Sequence, residues 1–152
     1  MKMAVVLRDA CADDSPRLLQ WTNDSAVRRW SGDAACIDAR THAAWFQASL
    51  AHDNGNHVWI ACAAGEPVGA VRIHVPSGVV SINVAGPQRG QGFGRAMLQA
   101  VEPLVAALGV RRIVADIARG NEASMRLFTS CGYKRPADGG SFLAWTKEVD
   151  PP

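Results

Sequence analysis

The stretch VSINVAGPQRGQGFGRAML, residues 80–98, runs from an extended apolar segment through Arg89-Gly90-Gln91-Gly92-Phe93-Gly94 into helical periodicity. At such a turn, successive amides point outward at the start of a helix, where unsatisfied N–H groups and the helix dipole favour an anion. A phosphate or pyrophosphate is the expected guest, and Arg89 and Arg95 flank the loop to add charge-assisted bonds. Glycines also serve tight turns that bind nothing, so the loop alone leaves both readings open. A P-loop is excluded, because it needs Lys followed by Ser or Thr where this chain has Arg95-Ala96. A dinucleotide fingerprint fits poorly. Asp116 would supply its acidic residue, but the third glycine falls on Arg95 and the preceding strand reads as hairpin-paired.

Working outward, HVWIACAA, EPVGAVRIHV and VVSINVA are extended runs separated by Ala64-Gly65 and Pro76-Ser77-Gly78. Those connections are short enough for hairpins, so an antiparallel meander leads into the loop. Beyond it, GRAMLQAVEPLVAALG is a helix ending at Gly109, with Pro103 expected to kink it or free a carbonyl. VRRIVADIA then reads as a buried strand, NEASMRLFTSCG as a helix capped by Asn121, and SFLAWTKEV as a last strand. Near the start, MAVVLRDA is extended, and DDSPRLLQW is a helix that Ser15 caps and Pro16 opens. DARTHAAWFQASLA is a further helix, with Ala44, Trp45, Ala48 and Leu50 at helical spacing, stopped by HDNGN. Together these elements give an α/β (α+β) fold, a mixed and mostly antiparallel sheet flanked by helices.

The chain has 152 residues, 48% of them apolar, which suits one domain spanning 1–152 with an ordinary core. Its net charge of +2 is dispersed, and the densest basic patches, Arg28-Arg29 and Arg111-Arg112, are too short for a nucleic-acid surface. Cys11, Cys36, Cys62 and Cys131 form no C-x-x-C pair and sit mostly among apolar neighbours, which predicts reduced thiols packed in a core and a cytoplasmic protein. No apolar run approaches the roughly 20 residues that span a bilayer, so neither a signal segment nor a membrane anchor is expected. No metal is implied.

RGQGFG resembles the R/Q-x-x-G-x-G/A loop of the GNAT N-acetyltransferases, and the likeness extends over nearly the whole chain through VVLRDACADD, SINVAGPQ, NEASMRLF and CGYKR. The resemblance implies acetyl-CoA as cosubstrate, its pyrophosphate gripped by Arg89, Gly90, Gln91, Gly92, Phe93, Gly94 and Arg95. It also implies that the strand Val79 to Ala85 splays from the strand Val110 to Ile117, with the pantetheine arm in the gap. A splayed edge leaves amides and carbonyls unpaired, which is costly unless an amide-rich arm completes the ladder. By the same resemblance the Val84 amide polarises the thioester carbonyl, while Asn121 and Ser124 match an N-x-x-A/S element beside the pantetheine and its phosphate end. Val84 and Asn121 are therefore the expected catalytic positions, and Asn121 also reads as a plain N-cap. Phe128 is expected at the cofactor, where many family members carry the tyrosine that protonates the leaving thiolate. The only tyrosine, Tyr133, reads as core. A carboxylate common on the strand before the loop is absent, leaving His42, His74 or a chain of waters as the base.

WTNDSAVRRW followed by THAAWF resembles a W-x-N-D-x-x-V-R and H-x-x-W pattern of N-acetyltransferases in pseudaminic-acid-type sugar biosynthesis. That likeness implies a small-molecule amine acceptor, a nucleotide-linked amino-deoxysugar, bound by Asn23, His42, Trp45 and Arg72. Indole faces at Trp21, Trp30 or Trp45 would stack on sugar or base, and Asn23, His42 and Arg72 would bond hydroxyls or phosphate. Trp45 and Phe46 serve equally as core anchors of their helix. Another small amine, a protein amino terminus and a non-catalytic acyl-CoA sensor are the alternatives, and a homodimer is compatible with all of them.

Overall fold

β-Branched runs with short turns between them form strands that can only pair with their sequence neighbours, and the fold follows from that. The computed structural model describes residues 4–31, 35–137 and 140–152. Strands β1 (Val6–Asp9), β2 (Asn56–Ala63), β3 (Glu66–His74) and β4 (Val80–Val84) make one antiparallel sheet in that order, and β5 (Arg112–Ala118) pairs with β6 (Phe142–Glu148) in a second. A single parallel bridge, Val79 to Val114, joins the two, with Val114 N donating to Gly78 O at 2.8 Å. Gly78 is required there. Its φ is +76°, and a Cβ would collide with the Arg112 carbonyl oxygen.

Helices α1 (Ser15–Thr22), α2 (Ser25–Arg28) and α3 (Ala39–Leu50) precede the meander, α4 (Phe93–Ala107) links β4 to β5, and α5 (Glu122–Ser130) links β5 to β6. Strand alternation sends Val71, Ile73 and Val80 to one face, where they bury Met97, Leu98, Val101 and Val105 of α4. The opposite face carries Ile60 and Ala70 against Leu18 of α1 and Phe46 of α3. Each large side chain removed from water here contributes about 1.5–3 kcal/mol, so α1 and α3 are held by a smaller core than α4. Pro103 sits inside α4 on its exposed side, where a freed carbonyl meets water.

Two expectations need correction. Helix α1 begins at Ser15, but the cap position falls on Asp14, so Ser15 caps nothing. The Asp14 carboxylate instead accepts from Arg8 at 2.9 and 2.8 Å, from Arg17 at 2.8 Å and from the Cys11 amide at 2.9 Å. It thereby ties β1 to α1. Secondly, the cysteines are all unpaired, yet only Cys131 is buried; Cys11 and Cys36 are exposed and Cys62 is intermediate. Helix α2 carried no expectation: it is too short to show periodicity, and its signal is a single cap, Asp24 accepting from Ala26 N at 2.9 Å.

Asp14 is 1% exposed, and the Arg8 guanidinium beside it lowers its pKa to about 2. A carboxyl whose folded pKa lies below its unfolded value near about 3.9 stabilises fully above that value, and the contribution is lost as pH falls towards the folded pKa. Asp14→Asn should therefore cost about 2–3 kcal/mol at pH 7, with a smaller difference from wild type at pH 3, as read by urea unfolding at both values. An equal gap at the two pH values would show that the cost is not electrostatic.

Candidate active site

From the Val79–Val114 bridge, β4 and β5 diverge. Ala85 N donates to Val68 O at 2.8 Å, which sets the phase of the β3–β4 ladder. Residues 81, 83 and 85 spend their main-chain groups on β3, so Ile82 and Val84 turn theirs into the gap. On β5, Val114 N faces β4 while Arg119 N bonds Ser141 O across the β5–β6 ribbon, so Asp116 and Ala118 present theirs to the same gap. The space between holds about 120 Å³, bordered by Ile82, Ile117, Asn121, Ser124 and Phe128. It shares Trp30, Ile82, Asn121 and Ser124 with a wider cleft of about 660 Å³ that runs to the glycine loop. The Ala118 carbonyl is taken by Asn121 N at 3.0 Å, and the strand groups that stay unpaired along the cleft invite a ligand that carries amides of its own.

At the loop, Gly90 and Gly92 have φ of +79° and +86°. The first bond within α4 is Ala96 N to Gly92 O at 3.2 Å, and no side chain caps the helix. The amides of residues 90–95 thus donate to no described group and are left for an anion. Gly94 has another use, since a Cβ there would lie 3.0 Å from Leu127 Cδ2 and so α4 packs tightly on α5. Arg89 does not lie free beside the loop: its Nε donates to Val84 O at 3.1 Å and its Nη2 lies 3.5 Å from Asp24. Arg95 is exposed on the cleft wall. Gln91 reaches the Pro87 carbonyl at 3.4 Å and its side chain borders no cavity, while the Phe93 ring is 2% exposed in the core, leaving only its main chain to the cleft.

Asn121 caps α5, its Oδ1 accepting from Ser124 N at 3.3 Å, and both residues border the gap. Phe128 is buried, its ring edge-on to Tyr133 with centroids 4.9 Å apart. Tyr133 itself is 4% exposed with its hydroxyl unpartnered, and burial pushes its pKa upward. It borders none of the cavities.

A second cavity of about 400 Å³ lies between α1–α3 and strands β3 and β4. It shares Val27, Ser31, Ile82 and Asn83 with the cleft, so the two spaces meet at the middle of β4. His42, Trp45 and Arg72 come together here. His42 is 4% exposed with Nε2 unpartnered, and burial lowers its pKa, keeping the ring neutral near pH 7. The Arg72 guanidinium lies 5.4 Å from the Trp45 ring centre. Asn23, expected beside them, is not on the wall. Its amide is consumed by the loop before α3, donating to Ile37 O and accepting from Ile37 N, both at 2.8 Å. His74 is turned to Ser77 Oγ at 2.7 Å in the β3–β4 turn and lines neither the cleft nor this cavity. Sequence reasoning missed Asn83, whose Oδ1 is buried without a partner. The signal was present, because Ser81 and Asn83 are the polar members of the alternation in VSINV.

Comparison with known proteins matches residues 4–134 to the acetyltransferase (GNAT) domain. An L-methionine sulfoximine/L-methionine sulfone acetyltransferase of Pseudomonas paraeruginosa is 31% identical, over 94% of this chain and 90% of that relative. Among solved structures, the aminoglycoside acetyltransferase AAC(6')-Ib in complex with coenzyme A superimposes with a TM-score of 0.80 at 22% identity, covering 95% of each chain. A Vibrio cholerae spermidine N-acetyltransferase in complex with CoA and spermine gives 0.81 at 15% identity, again over 95% of each.

The orphaned Tyr133 hydroxyl makes a measurable claim. Tyr133→Phe removes a buried group that has lost water and gained no partner, so thermal unfolding should find the variant as stable as wild type or up to about 1 kcal/mol more stable. A loss beyond about 1 kcal/mol would show a hydrogen bond at that oxygen.

Proposed function

Because the chain belongs to the GNAT acetyltransferase family, we propose that it moves the acetyl group of acetyl-CoA to a small-molecule primary amine by direct attack in a ternary complex. The observation that carries this reading is the junction at Ile82 and Asn83, where a cleft suited to CoA and a separate cavity suited to an acceptor open onto one stretch of strand. The loop amides of residues 90–95 would hold the pyrophosphate, and the main-chain groups of Ile82 and Asp116 with the Ala118 N–H would pair with the pantetheine amides. In the transfer, the amine lone pair attacks the thioester carbonyl, the new C–N bond forms as the C–S bond breaks, the amine gives up one proton and the thiolate takes one.

Little of this asks for reactive side chains. The Val84 N–H points into the gap and supplies a donor to the developing oxyanion. Arg72 in the acceptor cavity disfavours the ammonium form of a bound amine, which must be neutral to attack. At the thiolate, Phe128 offers no proton, so solvent serves as the acid. Asn121 holds the start of α5 against the gap and acts on position rather than protons. Acetyl-CoA dependence suits a cytoplasmic enzyme, and among the described residues no helix is long and apolar enough to cross a membrane.

Thiol release from acetyl-CoA across a panel of amines, paired with calorimetry for CoA, tests the reading; binding without turnover on any amine would make the protein an acyl-CoA sensor. The panel includes the nucleotide-linked amino-deoxysugar, the acceptor that the tryptophan-rich N-terminal pattern implies. Gly92→Val should weaken CoA binding by about 2 kcal/mol or more, since a branched residue at that positive φ distorts the amide array. Unchanged affinity in a folded variant removes the loop from the site. His42→Ala should lower kcat/KM for the acceptor by about 10–100-fold with CoA affinity intact, the loss expected where a buried polar contact is removed. A parallel drop in CoA affinity would instead mean that α3 supports both cavities.

A further inference from the structure

We infer that the acceptor carries a carboxylate next to its amine, Arg72 binding the acid and the Asn83 side chain meeting the amine, so that the substrate class is an α-amino acid with an uncharged side chain. This rests on the transfer reading above and adds the identity of the acceptor. Arg72 makes no hydrogen bond or ion pair with any described residue, and its guanidinium carbon lies 5.4 Å from the centre of the Trp45 ring. No Asp or Glu lines the cavity among the described residues, while a second cation, Arg28, does. A guanidinium held over an indole by cation–π attraction keeps N–H donors available, and its fork matches a carboxylate in two parallel bonds.

Burial lowers the Arg72 pKa, the mark of a cation held away from water without its counter-charge. Arginine stays charged regardless, so the missing partner is an anion brought by the ligand. Asn83 supplies the second point. Arg72 pairs with Ser81 across β3–β4, which places Asn83 on the diagonal, about 7–8 Å away between main chains, with both side chains on the α1–α3 side of the sheet. Two such side chains converge on groups a few ångströms apart, as amine and carboxylate are when they share one carbon. Leu18, Val58 and Ala70 line part of the wall beside the neutral hydroxyls of Thr22, Thr41 and Ser81, a surface that favours an uncharged side chain. The same charge pattern opposes polycations. A polycation such as spermine, found in complex with a Vibrio cholerae protein of this fold, would place ammonium groups against the Arg72 guanidinium.

The experiment compares L-methionine sulfone, L-leucine, their primary amides, spermidine and a nucleotide-linked 4-amino-deoxysugar with wild type, Arg72→Met, Arg72→Lys and Asn83→Ala. Readouts are thiol release and calorimetric binding of each amine to the CoA-loaded protein, with CoA affinity as the check on folding. Wild type should prefer acid to amide by about 50-fold in kcat/KM, Arg72→Met should reduce that ratio to within about threefold, and Arg72→Lys should restore part of it. Asn83→Ala should slow acid and amide alike, about tenfold, because it touches the amine that both possess. Equal use of acid and amide, a preference that survives Arg72→Met, or turnover of spermidine alone overturns the inference and leaves the transfer reading intact. Preference for the nucleotide sugar, lost in Arg72→Met, reassigns Arg72 to a phosphate and overturns the carboxylate. If no amine is turned over but the amino acids still bind the CoA complex through Arg72, the inference holds and the transfer reading fails.

Discussion

Everything about this site depends on one bridge between two sheets. Val114 N reaches Gly78 O, the strands touch at Val79, and past that point no further pairing joins β4 to β5. Had the pairing continued, Ile82 and Val84 would have spent their main-chain groups on β5, and the protein would contain a continuous sheet with no cleft. Stopping it leaves several polar groups unpaired, each costing about 1–3 kcal/mol if dry. The cleft keeps them wet until a ligand replaces the water. Gly78 limits where the bridge can form, since only a residue without a Cβ allows the Arg112 carbonyl so close.

The second consequence is a division of labour along β4. Its odd residues, Ser81 and Asn83, face the helices of the N-terminal third, while its even residues pack towards α4 and aim their main chain at the gap. One five-residue strand thus offers backbone to one substrate and side chains to the other. Arg89 reinforces the arrangement from outside, bridging the Val84 carbonyl to Asp24 at the start of α2. A conformational shift in α2 would therefore be felt both at the glycine loop and at the acceptor cavity, whose shared wall includes Val27 and Ser31.

Much of this was legible in the sequence, for reasons that differ by element. The meander, α4 and α5 were readable because their signals are local: hairpin-length turns, a glycine loop, an asparagine cap. The family likeness rested on the loop and on NEASMRLF, and the family match covers both. What the sequence could not give was the direction of polar side chains in irregular segments. Asn23 and Asp24 are adjacent polar residues in WTND, yet one is consumed by Ile37 and the other braces α2 and Arg89. Ser15 looked like the cap of α1 because hydroxyls commonly serve there, but a buried Asp14 with two arginines outweighs a single capping bond. The cysteines misled for a related reason: apolar neighbours in sequence are not neighbours in space outside regular elements.

Buried polar atoms without partners are the sharpest guide to the site, provided they are sorted by what they face. His42 Nε2, Asn83 Oδ1, Tyr133 Oη and Trp145 Nε1 are all orphaned. Tyr133 and Trp145 lie in the main core beside α4 and α5 and border neither the cleft, the gap nor the acceptor cavity. Their polar atoms are the residual cost of using large aromatic rings to fill volume. His42 and Asn83 border the acceptor cavity, as does Arg72 with no anion to pair with. A core tolerates an occasional orphan, but an asparagine, a neutral histidine and a guanidinium without an ion pair on the wall of one cavity, with no carboxylate among the described residues there, form a complementary set. The group they lack in common is a small molecule that brings its own negative charge and its own N–H.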